Sequence, residues 1–129
     1  MADSSDIEDC VVSIESINAV TLATEDMRRS VEFYQALEFE LIYGGVESRF
    51  SSLRAGLGFV NLTTERPEGG WSWWGRVIFH VTDVDGTYAK ARAAGFQTDT
   101  QPRDAEWGER YFHITDPDGH ELSFSKLLG

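Results

Sequence analysis

Apolar and polar residues alternate in short runs along this chain, and in two places the period lengthens to that of a helix. Over 16–23 the alternation around Ile17, Val20 and Leu22 predicts a strand. Thr24 is expected to cap the helix that follows, with Glu25 and Asp26 in its first turn near the positive end of the helix dipole. Met27, Val31 and Tyr34 recur at helical spacing, Phe33 and Leu37 widen the stripe, and the helix should end near Leu37. Strands are expected at 39–43, 49–54 and 57–62, with turns at Gly44-Gly45 and at Gly56. Residues 63–74, with Pro67, Gly69-Gly70 and three tryptophans, read as a linker carrying an aromatic cluster.

The same order then recurs. A strand is expected at 76–81, and a helix opens at Asp83, carries Val84, Tyr88 and Ala91 on one face, and ends at Gly95. A short strand at 96–98 and a loop over 100–107 lead to a closing hairpin. In that hairpin Asp116-Pro117-Asp118-Gly119 has type I turn chemistry: Asp bonds back to the backbone, Pro presets φ, and Gly closes the turn. Phe112, Ile114, Leu122 and Phe124 fall on one face. Tyr111, His113, Thr115, Glu121, Ser123 and Ser125 fall on the other. One face can therefore carry a helix while the other lines a pocket or meets water. The two copies align without gaps across the helix at an offset of 57 residues, as Asp26 to Asp83 and Phe39 to Phe96 show. A repeat this long points to a duplicated domain rather than a solenoid. Glu38 stands where the second copy has Gly95 and cannot take φ > 0 as cheaply, so the first helix is expected to end differently.

Composition narrows the function classes. With 129 residues, 41% of them hydrophobic, the chain suits a single domain with a substantial core. A net charge of −11 argues against a nucleic-acid partner or an anionic membrane surface, because phosphate binding calls for Lys and Arg. The one cysteine, Cys10, permits neither an intrachain disulfide nor a thiolate zinc cluster, which fits a reducing cytosol. Residues 1–13 read as an acidic flexible leader without a signal-peptide core, and no apolar run reaches membrane-spanning length, so a cytoplasmic location is expected.

Three stretches then resemble one family. They are the helix 26–39 with its Phe33-Tyr34 and Leu37-Glu38-Phe39, the segment Phe79-His80-Val81-Thr82-Asp83-Val84-Asp85, and Asp116-Pro117-Asp118-Gly119-His120-Glu121-Leu122. Together, in this order, they resemble the vicinal oxygen chelate superfamily of glyoxalases, extradiol dioxygenases and bleomycin-resistance proteins. The resemblance implies an α+β fold of duplicated βαβββ modules forming a curved mixed sheet with a concave pocket. It implies one domain over 14–126: module one at about 16–62, a linker at 63–74, and module two at about 75–126. Helices are expected at about 25–37 and 84–94. It also implies a homodimer. Metal-dependent members place ligands on the first and last strand of each module. Those positions fall here on Ala19, Asn61, Arg76 and Ser123, a set poorly suited to a transition metal. No metal or other cofactor is therefore expected at them.

Strand alternation turns Arg76, Ile78 and His80 inward, and the hairpin adds Tyr111, His113, Glu121 and Ser123. Arg76 can hold a carboxylate or phosphate by two parallel bonds, or simply pair with Glu121. His80 or His113 can move a proton near neutral pH, or serve as a plain strand residue. Trp73 and Trp74, just before Arg76, can wall a flat ligand or fill a subunit interface. The candidate ligand-binding set is thus Arg76, His80, Tyr111, His113, Glu121, Ser123, Asn61, Trp73 and Trp74. The leading expectation is binding of a small organic molecule without the usual metal. The alternative is a divergent glyoxalase-like lyase or dioxygenase-like enzyme with a divalent metal at a shifted site, such as His80, His113 and Glu121. A structural or regulatory interaction domain is the third.

Overall fold

A computed structural model describes residues 15–66 and 75–129. The acidic leader, Cys10, and Trp71, Trp73 and Trp74 of the linker lie outside the described residues. The first module runs β1 (Ala19–Ala23), α1 (Met27–Ala36), β2 (Glu40–Tyr43), β3 (Phe50–Ala55) and β4 (Gly58–Thr63). The second runs β5 (Arg76–His80), α2 (Val84–Ala93), β6 (Arg103–Asp104), β7 (Glu109–Thr115) and β8 (Glu121–Leu127). Each module is a four-stranded mixed sheet with one helix, and the strand orders match: β1-β4-β3-β2 and β5-β8-β7-β6. In both, the first and last strands pair in parallel, which requires the long crossover through the other elements.

The repeat read from the sequence extends to backbone geometry. Asp26 caps α1, with its side chain accepting from Arg29 N at φ −146°, ψ 96°. Asp83 caps α2, accepting from Gly86 N at φ −148°, ψ 96°. The cap of the first helix is therefore Asp26 rather than Thr24. Thr24 is buried, and its hydroxyl accepts from Asp26 N at 3.1 Å, so it braces the approach while the helix starts two residues later. The helix ends also match, against the expectation for Glu38. Glu38 adopts φ 77° where Gly95 has φ 89°. Glu38 N and Phe39 N donate to Gln35 O and Tyr34 O, just as Gly95 N and Phe96 N donate to Arg92 O and Ala91 O. Burying Phe39 outweighs the left-handed cost at the residue before it. The exposed Lys90–Glu38 pair at 3.6 Å is worth little at that position. Glu38→Gly is accordingly expected to stabilise the protein by about 1 kcal/mol. A urea melt with an unmoved midpoint would show that the strain is relieved some other way.

The second strand of module two departs from expectation. Residues 96–98 form no strand. The edge strand is β6, inside the segment read as loop, and it pairs Arg103 with Tyr111 and Asp104 with Arg110. The stretch Gln97-Thr98-Asp99-Thr100-Gln101 offers no apolar alternation to hold it on a sheet edge. Phe96 instead turns into the core against Phe33, with ring centroids 4.7 Å apart.

One core joins the two modules. Val31, Tyr34, Leu53, Leu62, Phe112, Ile114, Leu122 and Phe124 are all essentially inaccessible and belong to one apolar cluster. Phe39 meets Phe79 edge-on at 5.2 Å across the module boundary. Polar bonds from the module-two turn lock onto module one. Tyr34 Oη donates to Asp116 Oδ2 at 2.7 Å, and Glu25 N donates to Asp118 Oδ1 at 2.8 Å. His120 Nε2 lies 2.7 Å from Ala23 O, and since a carbonyl only accepts, that nitrogen carries the proton. With helices and core on one side of each sheet, the opposite face of the second sheet stays open.

Candidate functional site

The open face of the second sheet carries most of the polar residues singled out above. On β5, Arg76, Ile78 and His80 are exposed while Val77 and Phe79 turn toward the core. On the hairpin, Phe112, Ile114, Leu122 and Phe124 fill the core, which puts Tyr111, His113, Glu121 and Ser123 on the opposite face with Arg76. A cleft of ≈ 230 Å³ opens there. One side is aromatic: Trp107, Tyr111 and His113. The floor is polar, made by Ser123 and Ser125, with Arg76, Ile78 and Glu109 at the rim.

The aromatic side is a run of rings in contact. Trp107 stacks on Tyr111 at 5.7 Å between centroids with a 27° tilt, and Tyr111 meets His113 at 4.9 Å. Trp107 Nε1 donates to Glu109 Oε1 at 3.0 Å, which fixes the indole although the residue is 69% exposed. Trp107 and Arg103 both lie in the stretch 100–107 read as a loop, so the sequence reading assigns neither to this wall. Arg103 Nε donates to Tyr111 Oη at 2.8 Å, and the guanidinium lies 5.3 Å from the Tyr111 ring centre.

His113 and Ser123 face each other in register across the hairpin, and Ser123 Oγ lies 2.9 Å from His113 Nδ1. Burial holds the imidazole below its ordinary pKa of 6.5, and the nearby Arg76 and Arg103 charges push it the same way. His113 is therefore neutral at physiological pH, able to accept one proton and donate another. Arg76 Nη2 meets Glu121 Oε1 at 2.8 Å, so the cation expected to receive an anionic ligand already has a carboxylate partner. His80 sits on the same face beside Ser125 in register but does not line the cleft. Asn61 is not brought to this site. It lies on the first sheet, where Ser52 donates to its Oδ1 and its Nδ2 donates to Thr21 Oγ1 at 3.3 Å. Trp73 and Trp74 lie outside the described residues.

Strand register shows that the four positions expected from the resemblance are equivalent in pairs. Ala19 and Arg76 each begin a first strand, and Asn61 and Ser123 stand opposite the third residue of it. Alanine brings no donor and arginine brings a positive charge. The Asn61 carbonyl is engaged by Ser52, and Ser123 by His113. This set does not fit a divalent ion. Nor do His80, His113 and Glu121 assemble: among the described residues no three of His, Cys, Asp and Glu come together as a metal site. Likewise, among the described residues no helix is long and apolar enough to cross a membrane.

Comparison with known proteins agrees with this architecture. The profile of the Glyoxalase/Bleomycin resistance protein/Dioxygenase superfamily matches residues 16–124. Among solved structures, TioX from Micromonospora sp. ML1 is 28% identical, with a TM-score of 0.72 over 88% of this chain and 100% of that one. Lactoylglutathione lyase from Agrobacterium tumefaciens superposes with a TM-score of 0.72 at 16% identity, covering 88% and 94% of the two chains. A glyoxalase/bleomycin resistance protein/dioxygenase from Nocardioides gives 0.69 at 22% identity, covering 94% and 89%. No curated protein matches the sequence significantly.

Proposed function

Because the chain belongs to the Glyoxalase/Bleomycin resistance protein/Dioxygenase superfamily, we propose that it binds a small organic molecule on the open face of its second sheet, without a metal at the family's usual ligand positions. One observation carries this reading: a ≈ 230 Å³ cleft joins a wall of contacting rings to a polar floor in which Ser123 is bonded to His113. Sites for small molecules combine apolar or aromatic walls with a few fixed polar groups in this way. Arg76 contributes as half of a neutralised pair, so its loss would also leave Glu121 to repel an anion.

The test is a thermal-shift screen of aromatic and anionic compounds on chelator-treated full-length protein, followed by calorimetry on the hits. Tyr111→Ala and Arg76→Ala should each weaken a hit by roughly tenfold, about what loss of one well-made polar or stacking contact costs. Affinity unchanged in both, with the fold intact by circular dichroism, would place the site elsewhere. Elemental analysis of the purified protein should find far less than one transition-metal ion per chain. A stoichiometric ion bound through both modules would contradict the reading.

A second reading, a proton-transferring enzyme of the glyoxalase type, has one observation in its favour: the neutral His113 imidazole fixed by Ser123. It predicts that hits are turned over and that His113→Ala abolishes turnover while binding survives. Binding alone predicts unchanged compound after prolonged incubation. The open face also exposes Ile78 at 65% and Trp107 at 69%, which supports a homodimer whose second copy covers the cleft. Sedimentation as a monomer at micromolar concentration would contradict it.

A further inference from the structure

The cations of the second sheet differ in what they have left to offer. Arg76 meets Glu121 at 2.8 Å. Arg110 is held by Asp85 and by Asp104, at 2.8 and 2.9 Å. Arg103 pairs with no carboxylate among the described residues; its contacts are the Tyr111 hydroxyl and the Tyr111 ring. Among the described residues only its Nε–H is used, and the two Nη groups, the fork that receives a carboxylate by two parallel bonds, have no partner. Its direction is set, because the Nε–H bond and the ring contact hold the guanidinium at the rim of the wall. Tyr111 Oη accepts from Arg103, and its own proton has no acceptor among the described residues. The Arg103 Nη groups and the Tyr111 hydroxyl are thus donors of two kinds held together by one hydrogen bond.

Beside that point lies a flat apolar surface. The Trp107 ring and the Arg103 guanidinium both neighbour Tyr111, at 5.7 and 5.3 Å from its centre. Ile78, 65% exposed, adds apolar surface at the cleft rim.

We propose that Arg103, which borders the cleft through Tyr111 without lining it, forms with the Tyr111 hydroxyl the cleft's anion anchor, and that the ligand class is a planar aromatic carboxylate whose ring lies against Trp107. The inference rests on the binding reading above and names the ligand class for that same site. It assigns the anchor to Arg103 instead of Arg76. The field at His113 is consistent with it. Arg76 and Arg103 lower the imidazole's proton affinity, while Asp99 and Glu121 raise it. A carboxylate on Arg103 cancels part of the positive side, so the His113 pKa should rise when such a ligand binds.

The experiment uses full-length protein, with 2-naphthoate as the probe and 2-naphthamide as its neutral counterpart. By calorimetry the acid should bind about 10- to 100-fold more tightly than the amide. Arg103→Gln should abolish that preference, and Tyr111→Phe should reduce it. By NMR, the His113 pKa should rise on saturation with the acid, should not rise with the amide, and should not rise in Arg103→Gln. Equal binding of acid and amide by the wild-type protein would overturn the anchor and leave the cleft reading standing. A preference that survives in Arg103→Gln but collapses in Arg76→Gln would move the anion to Arg76 and overturn the assignment. No measurable binding of either compound would overturn this ligand class and count against the cleft reading beneath it.

Discussion

Asp116→Ala should cost the fold about 3 kcal/mol, the penalty of leaving buried donors without their acceptor. The carboxylate is buried and accepts three hydrogen bonds, from Tyr34 Oη at 2.7 Å and from the backbone N–H groups of Asp118 and His120 at 2.9 Å. The first of these joins α1 of module one to the hairpin turn of module two. Alanine would strand the Tyr34 hydroxyl in the core and loosen the turn together. Tyr34→Phe removes donor and bond at once and should cost less, about 1–1.5 kcal/mol. Denaturant titration of both variants and of the double mutant gives the coupling. Additive losses would mean that the 2.7 Å bond links the modules in geometry only.

The same carboxyl carries a pH dependence. Burial raises Asp116 above its ordinary 3.8, and the bonds from Tyr34, His120 and Asp118 only partly reverse this. The folded chain therefore holds this proton more tightly than the unfolded chain. Its stabilising contribution is full below 3.8 and is lost as pH rises through the folded-state value. Asp116→Asn removes the titration. The stability of the wild type relative to Asp116→Asn should therefore fall as pH rises from about 4 toward neutrality. A difference that grows with pH would show that the hydrogen bonds outweigh burial.

Gly44→Ala should also be severe, costing about 3 kcal/mol from left-handed backbone strain and overpacking combined. Gly44 has φ 80°, and an added Cβ would stand 2.3 Å from Phe50 O and 2.7 Å from Ser51 Oγ. Neither neighbour can yield cheaply. Phe50 O is backbone of β3, and Ser51 is fully buried, with its hydroxyl bonded to both N and O of Gly45. The damage falls on the first sheet. Ligand affinity measured on the folded fraction should therefore be unchanged, whereas an equal loss of affinity would tie the binding site to module one.

Much of this architecture is legible in the sequence because a duplication states each element twice. The Asp26–Asp83 alignment and the matched apolar stripes reinforce one another at one offset. Where local chemistry competes, the reading shifts. Thr24 and Asp26 both have capping side chains, and the packing of Met27 and Val31 against the core decides for Asp26. Glu38 takes a glycine-like φ because Phe39 must be buried, a tertiary demand that local propensity does not contain.

The site is legible to the extent that period-two alternation governs it. Alternation places Arg76, Tyr111, His113, Glu121 and Ser123 on one face, and hairpin register puts His113 opposite Ser123. Counting outward from the turn would have found that bond. Alternation leaves open whether Arg76 receives an anion or pairs with Glu121, and the 2.8 Å contact decides for the pair. Arg103 is illegible for a different reason. Its two-residue edge strand has no apolar pattern of its own and is defined only by pairing with Tyr111 and Arg110.

The most direct test of metal-free binding on the second sheet is side-chain NMR of the chelator-treated protein during titration with 2-naphthoate. Signals of Tyr111, His113 and Trp107 should move together and saturate, while those of Asn61 and Thr21 on the first sheet should stay in place. Shifts confined to the first sheet, or binding that appears only when a divalent metal is added back, would contradict the account.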